Sequence, residues 1–431
     1  MLKMRISINY HEGEGTRVRL LKAACLSLAM GMSLSGCWNR TELNELGITS
    51  ATGLDRKDKE WRVSYQMIVP SVMSSGSGGG SSGSSSQPAV HTFSTQAKTI
   101  QEANNYTNLE NARRLYVSHN NALVIGGEAA RQGISPIVDV YFRNTEQRET
   151  VLLFVTEGTA EEMLRMLIPP EKLPGASLAE IIRKENETAS IYPSINMLEF
   201  GQRLNSDAKG AAIPVISIAG DDSTEGRESL ESLDVNKSTS PPAKIKLTKL
   251  AIFQGDRIVD LLDPAESRGI TWLIGKTKES VISIPFPDAE ESEADSQLSS
   301  VRIRSTSIRI KPIKRDDHYV MQVKAKVNGV LLGTDVTEDL SKPRVIKQLQ
   351  TQLEKRIAQE METGMTAIRR LRVDVAGFAD KVHRKYPRDW RKIKERWAEE
   401  LAQIELDIHV DATIKRPGIL QKSFRSLWQN S

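Results

Sequence analysis

Cysteine is scarce in this sequence, because its 431 residues include only Cys25 and Cys37. Two cysteines cannot build a disulfide framework, so a small disulfide-stabilised secreted domain is excluded. The fold must therefore be stabilised by the packing of apolar side chains. The chain is longer than one core usually serves, so two or three domains are expected.

The sequence also lacks a long hydrophobic run. An apolar stretch at Ala23–Leu34 is shorter than the roughly 20 residues that a membrane-spanning helix needs, and no later stretch is longer and equally apolar. The composition, with 39% hydrophobic and 26% charged residues, is that of a globular protein. A transmembrane protein is therefore not predicted.

The short apolar stretch follows basic residues, which is typical of a secretory leader. It ends in Leu34, Ser35, Gly36 and Cys37, a lipobox in which a small residue precedes the cleaved bond and the thiol accepts a diacylglyceryl group. The sequence thus predicts a signal peptide over 1–36 and a mature chain that is held to a membrane by lipid alone. The alternative is an ordinary buried cysteine, which we favour less because charge, length, small residues and cysteine agree.

No catalytic or metal-binding motif is present in the sequence. None of the six histidines has the HExxH or another metal-ligand spacing, and no GxSxG, P-loop or CxxC motif occurs. His119 in "VSHNNALVIG" is the most suggestive candidate, but a structural role for it is favoured. We therefore predict a non-enzymatic protein without metal or cofactor, and we assign no ligand-binding residue.

Charge of one sign is not in large excess either. Lysine and arginine total 59 against 55 aspartate and glutamate, and removing the basic leader lowers the formal net charge from +4 to about +1. Binding to nucleic acid is therefore not predicted. One basic cluster has two interpretations, contact with anionic lipid headgroups or solvated helix faces, of which we favour the second. The cluster comprises Lys381, Arg384, Lys385, Arg388, Arg391, Lys392, Lys394 and Arg396.

The patterning predicts an α+β fold with several domains. In the N-terminal domain, 37–220, a hairpin turns at "RKDK", a Gly/Ser-rich loop follows over 74–87, and short strands then alternate with helices around one mixed sheet. One of these helices is predicted to begin at Thr159. A polar linker is predicted over 221–244 and a small middle domain over 245–300.

The C-terminal region, 301–420, is predicted to be an antiparallel sheet covered by a long helix. Strictly alternating segments indicate the strands, and apolar residues from Ile346 to Phe378 recur with a mean spacing of about 3.6, the helical period. Gly364 is a candidate break in this helix. Its apolar face is either a docking surface for another helix or the cover of the sheet, and we favour the cover.

Three segments together resemble a known family. They are "LSGCWNRTELNELGI" at the lipobox, "SHNNALVIGGEAARQGISPIVDVYFRNTEQRETVLLFVTEGTAEEML" in the middle, and "DVAGFADKVHRKYPRDW" with "IELDIHVDATIKRPGIL" near the end. In this order they resemble the Ger(x)C family, the lipoprotein C subunits of GerA-type spore germinant receptors. Asn39 replaces an aspartate common in the family, and Ala379 stands where a glycine often follows Gly377 and Phe378.

The resemblance implies a non-enzymatic subunit of a nutrient receptor that is required for germination. It would act on the outer face of the spore inner membrane with an integral A subunit and an integral B subunit. A rival interpretation is a solute-binding lipoprotein of a transporter, which should show two similar lobes of parallel sheet. A second rival, an envelope hydrolase, lacks its catalytic residues in this sequence.

Overall fold

A computed structural model describes residues 18–27, 45–74, 87–221, 223–286, 298–316, 318–334, 340 and 342–415. The chain divides into two compact units, Met1–Leu46 and Gly47–Ser431. In the first unit, residues 18–27 form a helix in which Cys25 is exposed. Among the described residues, no helix is both long and apolar enough to cross a membrane.

The larger sheet of the second unit has nine strands among the described residues. Its order is β3-β2-β1-β5-β6-β7-β8-β9, and β4 also pairs with β1. The strands are β1 Leu46–Lys57, β2 Glu60–Ile68, β3 Val90–Ala97, β4 Arg114–Tyr116, β5 Ala122–Ile125, β6 Leu152–Thr156, β7 Gly210–Gly220, β8 Ala243–Gln254 and β9 Arg257–Leu262. β1, β5, β6 and β7 are parallel, whereas the outer pairs are antiparallel, so the predicted mixed sheet is confirmed.

Helices cover both faces of this sheet. They are α1 Pro70–Ser74, α2 Ile100–Glu110, α3 Gly127–Gln132, α4 Ser135–Arg143, α5 Ala160–Arg165, α6 Pro174–Thr188, α7 Met197–Leu204 and α8 Thr224–Glu231. Along β5, Leu123 and Ile125 belong to one hydrophobic core and Ala122 and Val124 to the other, because successive strand residues point to opposite faces. The predicted start of α5 is confirmed, since the Thr159 hydroxyl accepts a hydrogen bond from the helix N-terminus.

The predicted hairpin at "RKDK" is also confirmed. Asp58 and Lys59 adopt φ values of 50° and 70°, the left-handed conformation that a tight turn between β1 and β2 requires. The Gly/Ser-rich loop predicted next, over 74–87, falls almost wholly outside the described residues.

A second, four-stranded sheet has the order β10-β11-β12-β13. Its strands are β10 Ser280–Pro285, β11 Leu298–Lys314, β12 Tyr319–Thr334 and β13 Glu405–Ile414. Three strands form the predicted antiparallel meander, but β13 runs parallel to β12, so the prediction of an antiparallel sheet is wrong for its last strand. The reason is the helical connection between β12 and β13, which returns the chain to the end of the sheet where β12 began.

Five further helices complete the described secondary structure apart from short 3₁₀ turns. They are α9 Pro264–Leu273, α10 Pro343–Leu371, α11 Phe378–Lys385, α12 Pro387–Ile393 and α13 Trp397–Gln403. Leu349, Leu353 and Ile357 of α10 are fully buried in the same core as the second sheet. The long helix therefore covers the sheet, as predicted. It ends at Leu371, however, and Phe378 begins the next helix, so the prediction of one helical face through Phe378 is wrong.

The division into domains remains a prediction, although contacts cross the predicted boundaries. The predicted segments are 37–220, 221–244, 245–300 and 301–420. β8 and β9 pair within the larger sheet, whereas β10 pairs within the second sheet. The predicted linker contains α8, whose Leu230 is buried in the core that also lies under the second sheet. Residues of the predicted middle domain thus contribute to both sheets.

Gly364 does not interrupt α10 but marks a close helix crossing. A Cβ at Gly364 would lie 2.6 Å from the backbone nitrogen of Ile270 in α9, and Gly269 faces Gly364 across the contact. Two backbones meet here without room for a methyl group. Beside them the Trp272 indole N–H donates to Glu360 over 2.9 Å.

We expect Gly364→Ala to destabilise the protein by about 1 to 3 kcal/mol despite the better helix propensity of alanine, because backbone atoms must separate. Thermal unfolding measures this. Thr363→Ala, at the exposed neighbouring position of α10, should change stability by less than about 0.5 kcal/mol. Equal melting temperatures for Gly364→Ala and the parent would show that the crossing is loose.

Candidate functional site: the Asp374 turn

The segment between α10 and α11 forms a sharp turn, here called the Asp374 turn (372–377). Arg372 leaves α10 in the left-handed conformation with φ of 56°, and Gly377 enters α11 with φ of 68°. Arginine is uncommon at a left-handed helix end, where glycine is favoured. The turn therefore depends on contacts made by the residues between these two positions.

Asp374 supplies those contacts. Its carboxylate accepts hydrogen bonds from the backbone N–H of Phe378 over 2.9 Å and of Ala379 over 2.6 Å, and from the Trp397 indole over 3.2 Å. The residue is 2% exposed. Asp374 thus caps the N-terminus of α11 from outside the helix and also joins it to α13.

Burial shifts the pKa values of two ionisable groups in and beside this turn, Asp374 and Lys381. Burial raises the pKa of the Asp374 carboxyl above its ordinary value, and the N–H groups of Ala379 and Phe378 act in the opposite direction. Lys381 donates to the carbonyl oxygens of Ala376 and Gly377 over 3.1 and 3.2 Å, and burial lowers the pKa of its ammonium group. The hydrogen bonds of Asp374 and Lys381 therefore hold the turn.

The Asp374 turn contacts the end of the larger sheet. Lys209 and Asp374 form an isolated parallel bridge, and a Cβ at Gly210 would lie 2.5 Å from the Asp374 carbonyl oxygen. Asp207 donates its N–H to Asp380 over 3.1 Å, and its carboxylate lies 2.6 Å from His383 Nδ1. The C-terminal helices are thereby fixed against β7.

A cavity of about 280 Å³ lies beside this contact, lined by Phe200, Arg203 and Val375 among others. Lys276 reaches one oxygen of Glu199 over 2.6 Å. The other Glu199 oxygen, Oε2, is buried and has no hydrogen-bond partner among the described residues. The cavity therefore presents both charge signs next to the turn.

The arrangement has the features of a structural junction. Asp374 is enclosed by its three donors, so it is not placed to exchange protons with a substrate. Within the described part of the chain, no group of three or more histidine, cysteine or acidic residues is close enough to hold a metal ion. The chemistry that these residues offer is hydrogen bonding among the C-terminal helices and to the segment that precedes β7.

The predicted lipidation residues Leu34, Ser35, Gly36 and Cys37 lie outside the described residues, as does Asn39. His119 ends a short 3₁₀ turn, with its ring against the edge of Tyr116 over 5.3 Å.

Gly377 and Phe378, which resemble the Gly-Phe turn of the Ger(x)C family, lie at the start of α11. Ala379 is fully buried inside α11, where alanine is favourable, so its replacement of glycine is accommodated.

The residues of the predicted basic cluster have different environments in the structure. Lys381 faces the interior, Lys385 donates to the Pro312 carbonyl oxygen over 2.7 Å, and Arg396 pairs with Glu400. Arg384, Arg388, Arg391 and Lys392 are exposed. Solvated helix faces therefore describe part of the cluster, and Lys381 and Lys385 have structural roles.

Sequence reasoning missed Asp374, Asp207 and Glu199. A usable signal existed for Asp374, because an acidic residue shortly before a helix start commonly satisfies its free N–H groups. No local pattern marks Asp207 or Glu199, whose partners are distant in the sequence.

We expect Asp374→Asn to lower the free energy of unfolding by about 1 to 3 kcal/mol, because one buried N–H or the Trp397 indole loses its acceptor. Denaturant unfolding measures the change. Asp380→Asn, a partly exposed carboxylate in the same helix, should cost less than about 1 kcal/mol. Equal effects of the two substitutions would show that Asp374 is not the group that holds the turn.

Comparisons with known proteins agree with this architecture. Residues 39–218 match the spore germination protein N-terminal domain, and residues 248–418 match the family described as spore germination B3/GerAC like, C-terminal. Spore germination protein KC of Bacillus subtilis (strain 168) is 28% identical over 93% of this chain and 97% of its own length. Spore germination protein A3 of the same organism is 23% identical over 89% of this chain and 95% of its own length.

A crystal structure of the GerBC protein shares the fold, with a TM-score of 0.52 and 13% identity over 85% of this chain and 97% of that one. The two matched domains in this order define a spore germination protein. The chain belongs to the Ger(x)C family of germinant receptor subunits, which is not a known class of enzyme.

Proposed function

We propose that this chain is the lipid-anchored C subunit of a nutrient germinant receptor and that it acts by assembly, without catalysis. The observation that carries the proposal is the order of features along the chain. A lipobox ending at Cys37 is followed directly by the two family domains, at 39–218 and 248–418. The anchor and the domains thus form one mature protein.

The partners would be an integral A subunit and an integral B subunit at the outer face of the spore inner membrane. A diacylglyceryl group on Cys37 would supply two acyl chains, which is enough for stable attachment, whereas one chain binds only reversibly. The protein would then need no membrane-spanning segment of its own.

A non-catalytic role is supported by the use of the buried polar groups. Asp374 is occupied by three hydrogen bonds, and Glu360 by Trp272 and Arg268. These contacts fix α11 to α13 and α10 to α9, which suits a rigid subunit in an assembly.

The transporter alternative is not supported by the fold. A solute-binding lipoprotein should have two similar lobes built from repeated βαβ units. Here the two sheets differ in size, strand order and direction.

Affinity capture tests the proposal. We expect the full chain with a C-terminal tag, solubilised from spore membranes in mild detergent, to retain two polytopic membrane proteins in comparable amounts. Untagged spores provide the background, and Cys37→Ala should reduce the recovery of both partners. Recovery of the chain alone, or with a permease and an ATPase, would contradict the proposal, and the second result would favour a transporter.

A further inference from the structure

The outward face of the second sheet carries a group of cations, here called the basic face: Arg309 and Lys311 of β11 with Lys324 and Lys326 of β12. All four are exposed, whereas the alternating residues Val323 and Ala325 are buried against the core. The strand register places Arg309 directly opposite Lys324. Two like charges therefore face each other across the ladder.

Such a pair is unfavourable for the isolated protein, because like charges directly opposite in an antiparallel pair are destabilising. None of the four cations forms an ion pair with a described residue. The neighbouring strand β13 places Asp411 beside Lys326 and Asp407 beside Gln322, and His409 lies beside Lys324. The Asp407 carboxylate accepts from the Gln322 amide over 3.2 Å and lies 3.3 Å from His409 Nδ1. No carboxylate is the direct cross-strand partner of Arg309, Lys311 or Lys324 among the described strands, so the positive charge at the centre of the face is only partly compensated.

More cations flank this face at the edge of β11. Lys385 reaches the Pro312 carbonyl oxygen over 2.7 Å, and the Lys314 N–H donates to the Tyr386 hydroxyl over 3.3 Å. These contacts hold α11 and α12 against the end of β11. The exposed cations of the two helices are Arg384, Lys385, Arg388, Arg391 and Lys392.

The composition of this surface indicates its partner. A specific protein interface has an apolar or aromatic centre surrounded by polar residues. Among the described residues, Val281 of β10 and Leu332 of β12 are exposed large apolar side chains of this sheet, but none lies within β11 305–314, β12 319–328 or α11–α12. Long flexible cations on a flat sheet instead suit a fluid array of negative headgroups, which adjusts to any arrangement of charges.

We propose that the basic face, with Arg309 opposite Lys324 at its centre, lies against an anionic phospholipid bilayer. Each lysine or arginine near such a surface is attracted independently of the others, and the attraction falls off within a Debye length. This contact does not rest on the proposed anchor at Cys37. It would fix the orientation of the protein, with the outward face of β11 and β12 towards the lipid.

Acetylation of the wild-type full chain on vesicles gives the first test. We expect Lys311, Lys324 and Lys326 to react several-fold more slowly on vesicles containing 30% phosphatidylglycerol than on pure phosphatidylcholine, and high salt should abolish the difference. Lys57, Lys98 and Lys172, exposed elsewhere, should react equally on both. Equal rates at the basic face on both vesicles would overturn the proposal.

A partition experiment gives the second test. Detergent is removed from the full chain in the presence of neutral and anionic vesicles of different density, so that any lipid on the protein contributes equally to both. We expect enrichment on the anionic vesicles of about tenfold or more for the parent. The variant R309Q/K311Q/K324Q/K326Q, which lacks the four cations of the basic face, should distribute almost evenly between the two kinds of vesicle.

A matched variant removes four exposed cations elsewhere and should keep the parental enrichment. It is K57Q/K98Q/R148Q/K172Q. Thermal melts of both variants are recorded first, and relief of the like-charge pair should leave the face variant at least as stable as the parent. An even distribution of the parent would contradict the proposal and favour an acidic protein as the partner of the basic face. An equal loss in both variants would also contradict it, because binding would then follow the total charge of the protein.

Discussion

Substitution of Cys37 by alanine should abolish lipid attachment and leave a folded but ineffective protein. Sulfur is the only atom at this position that can form the thioether to diacylglycerol, so alanine removes both acyl chains together. Each buried methylene of such a chain contributes about 0.8 kcal/mol to membrane binding. Spores carrying Cys37→Ala should therefore fail to respond to the nutrient.

The chemical measurement is mass spectrometry of the N-terminal peptide, because an uncut leader could still retain some protein at the membrane. Diacylglyceryl on Cys37 is expected in the parent. Cys25→Ala is the matched control, since this cysteine lies within the predicted leader and its loss should leave lipidation and germination unchanged. A free thiol on Cys37 in firmly bound protein would refute the lipoprotein hypothesis.

Phe378→Ala should reduce stability by about 3 to 5 kcal/mol, the usual cost of truncating a buried phenylalanine. Phe378 is fully buried in the core that lies under both sheets, and it begins α11 directly after the Asp374 turn. Its removal therefore leaves a cavity and loosens the contact between α11 and the turn. Denaturant unfolding and protein abundance in spores measure the effect.

Phe142→Ala provides the comparison, because this phenylalanine is 50% exposed and should cost less than about 1.5 kcal/mol. If Phe378→Ala spores held normal amounts of heat-stable protein yet did not germinate, core packing would not be the main role of Phe378.

The elements that sequence patterns identified correctly are those with local signals. The hairpin at Asp58 and Lys59, the helix start at Thr159 and the alternating strand β12 each depend on residues within one turn or one strand. The α+β class follows from such elements together. Strand direction does not, because β13 alternates in the same way whether it pairs parallel or antiparallel.

The errors arose where tertiary contacts replaced local rules. Val375 and Phe378 continue the apolar spacing of α10 because they enter the same core, although the helix has already ended at a left-handed Arg372. Lysine is usually a surface residue, but the Lys381 ammonium group donates to carbonyl oxygens of the Asp374 turn.

The near-neutral net charge of the chain also did not reveal the basic face. It is a sum over the chain, whereas the strand register gathers Arg309 and Lys324 on one face. A local concentration of charge is therefore compatible with a balanced total.

The parallel pairing of β13 has a consequence for the order in which the protein is completed. β12 is synthesised before its partner, and the chain from Thr334 to Glu405, including α10 to α13, must be made before β13 can pair with residues 320–329. Until then one edge of β12 has unsatisfied backbone groups, the kind of edge that recruits other chains. A chain that terminates between Thr334 and Glu405 would therefore be prone to aggregate, because β12 is then complete but β13 is missing.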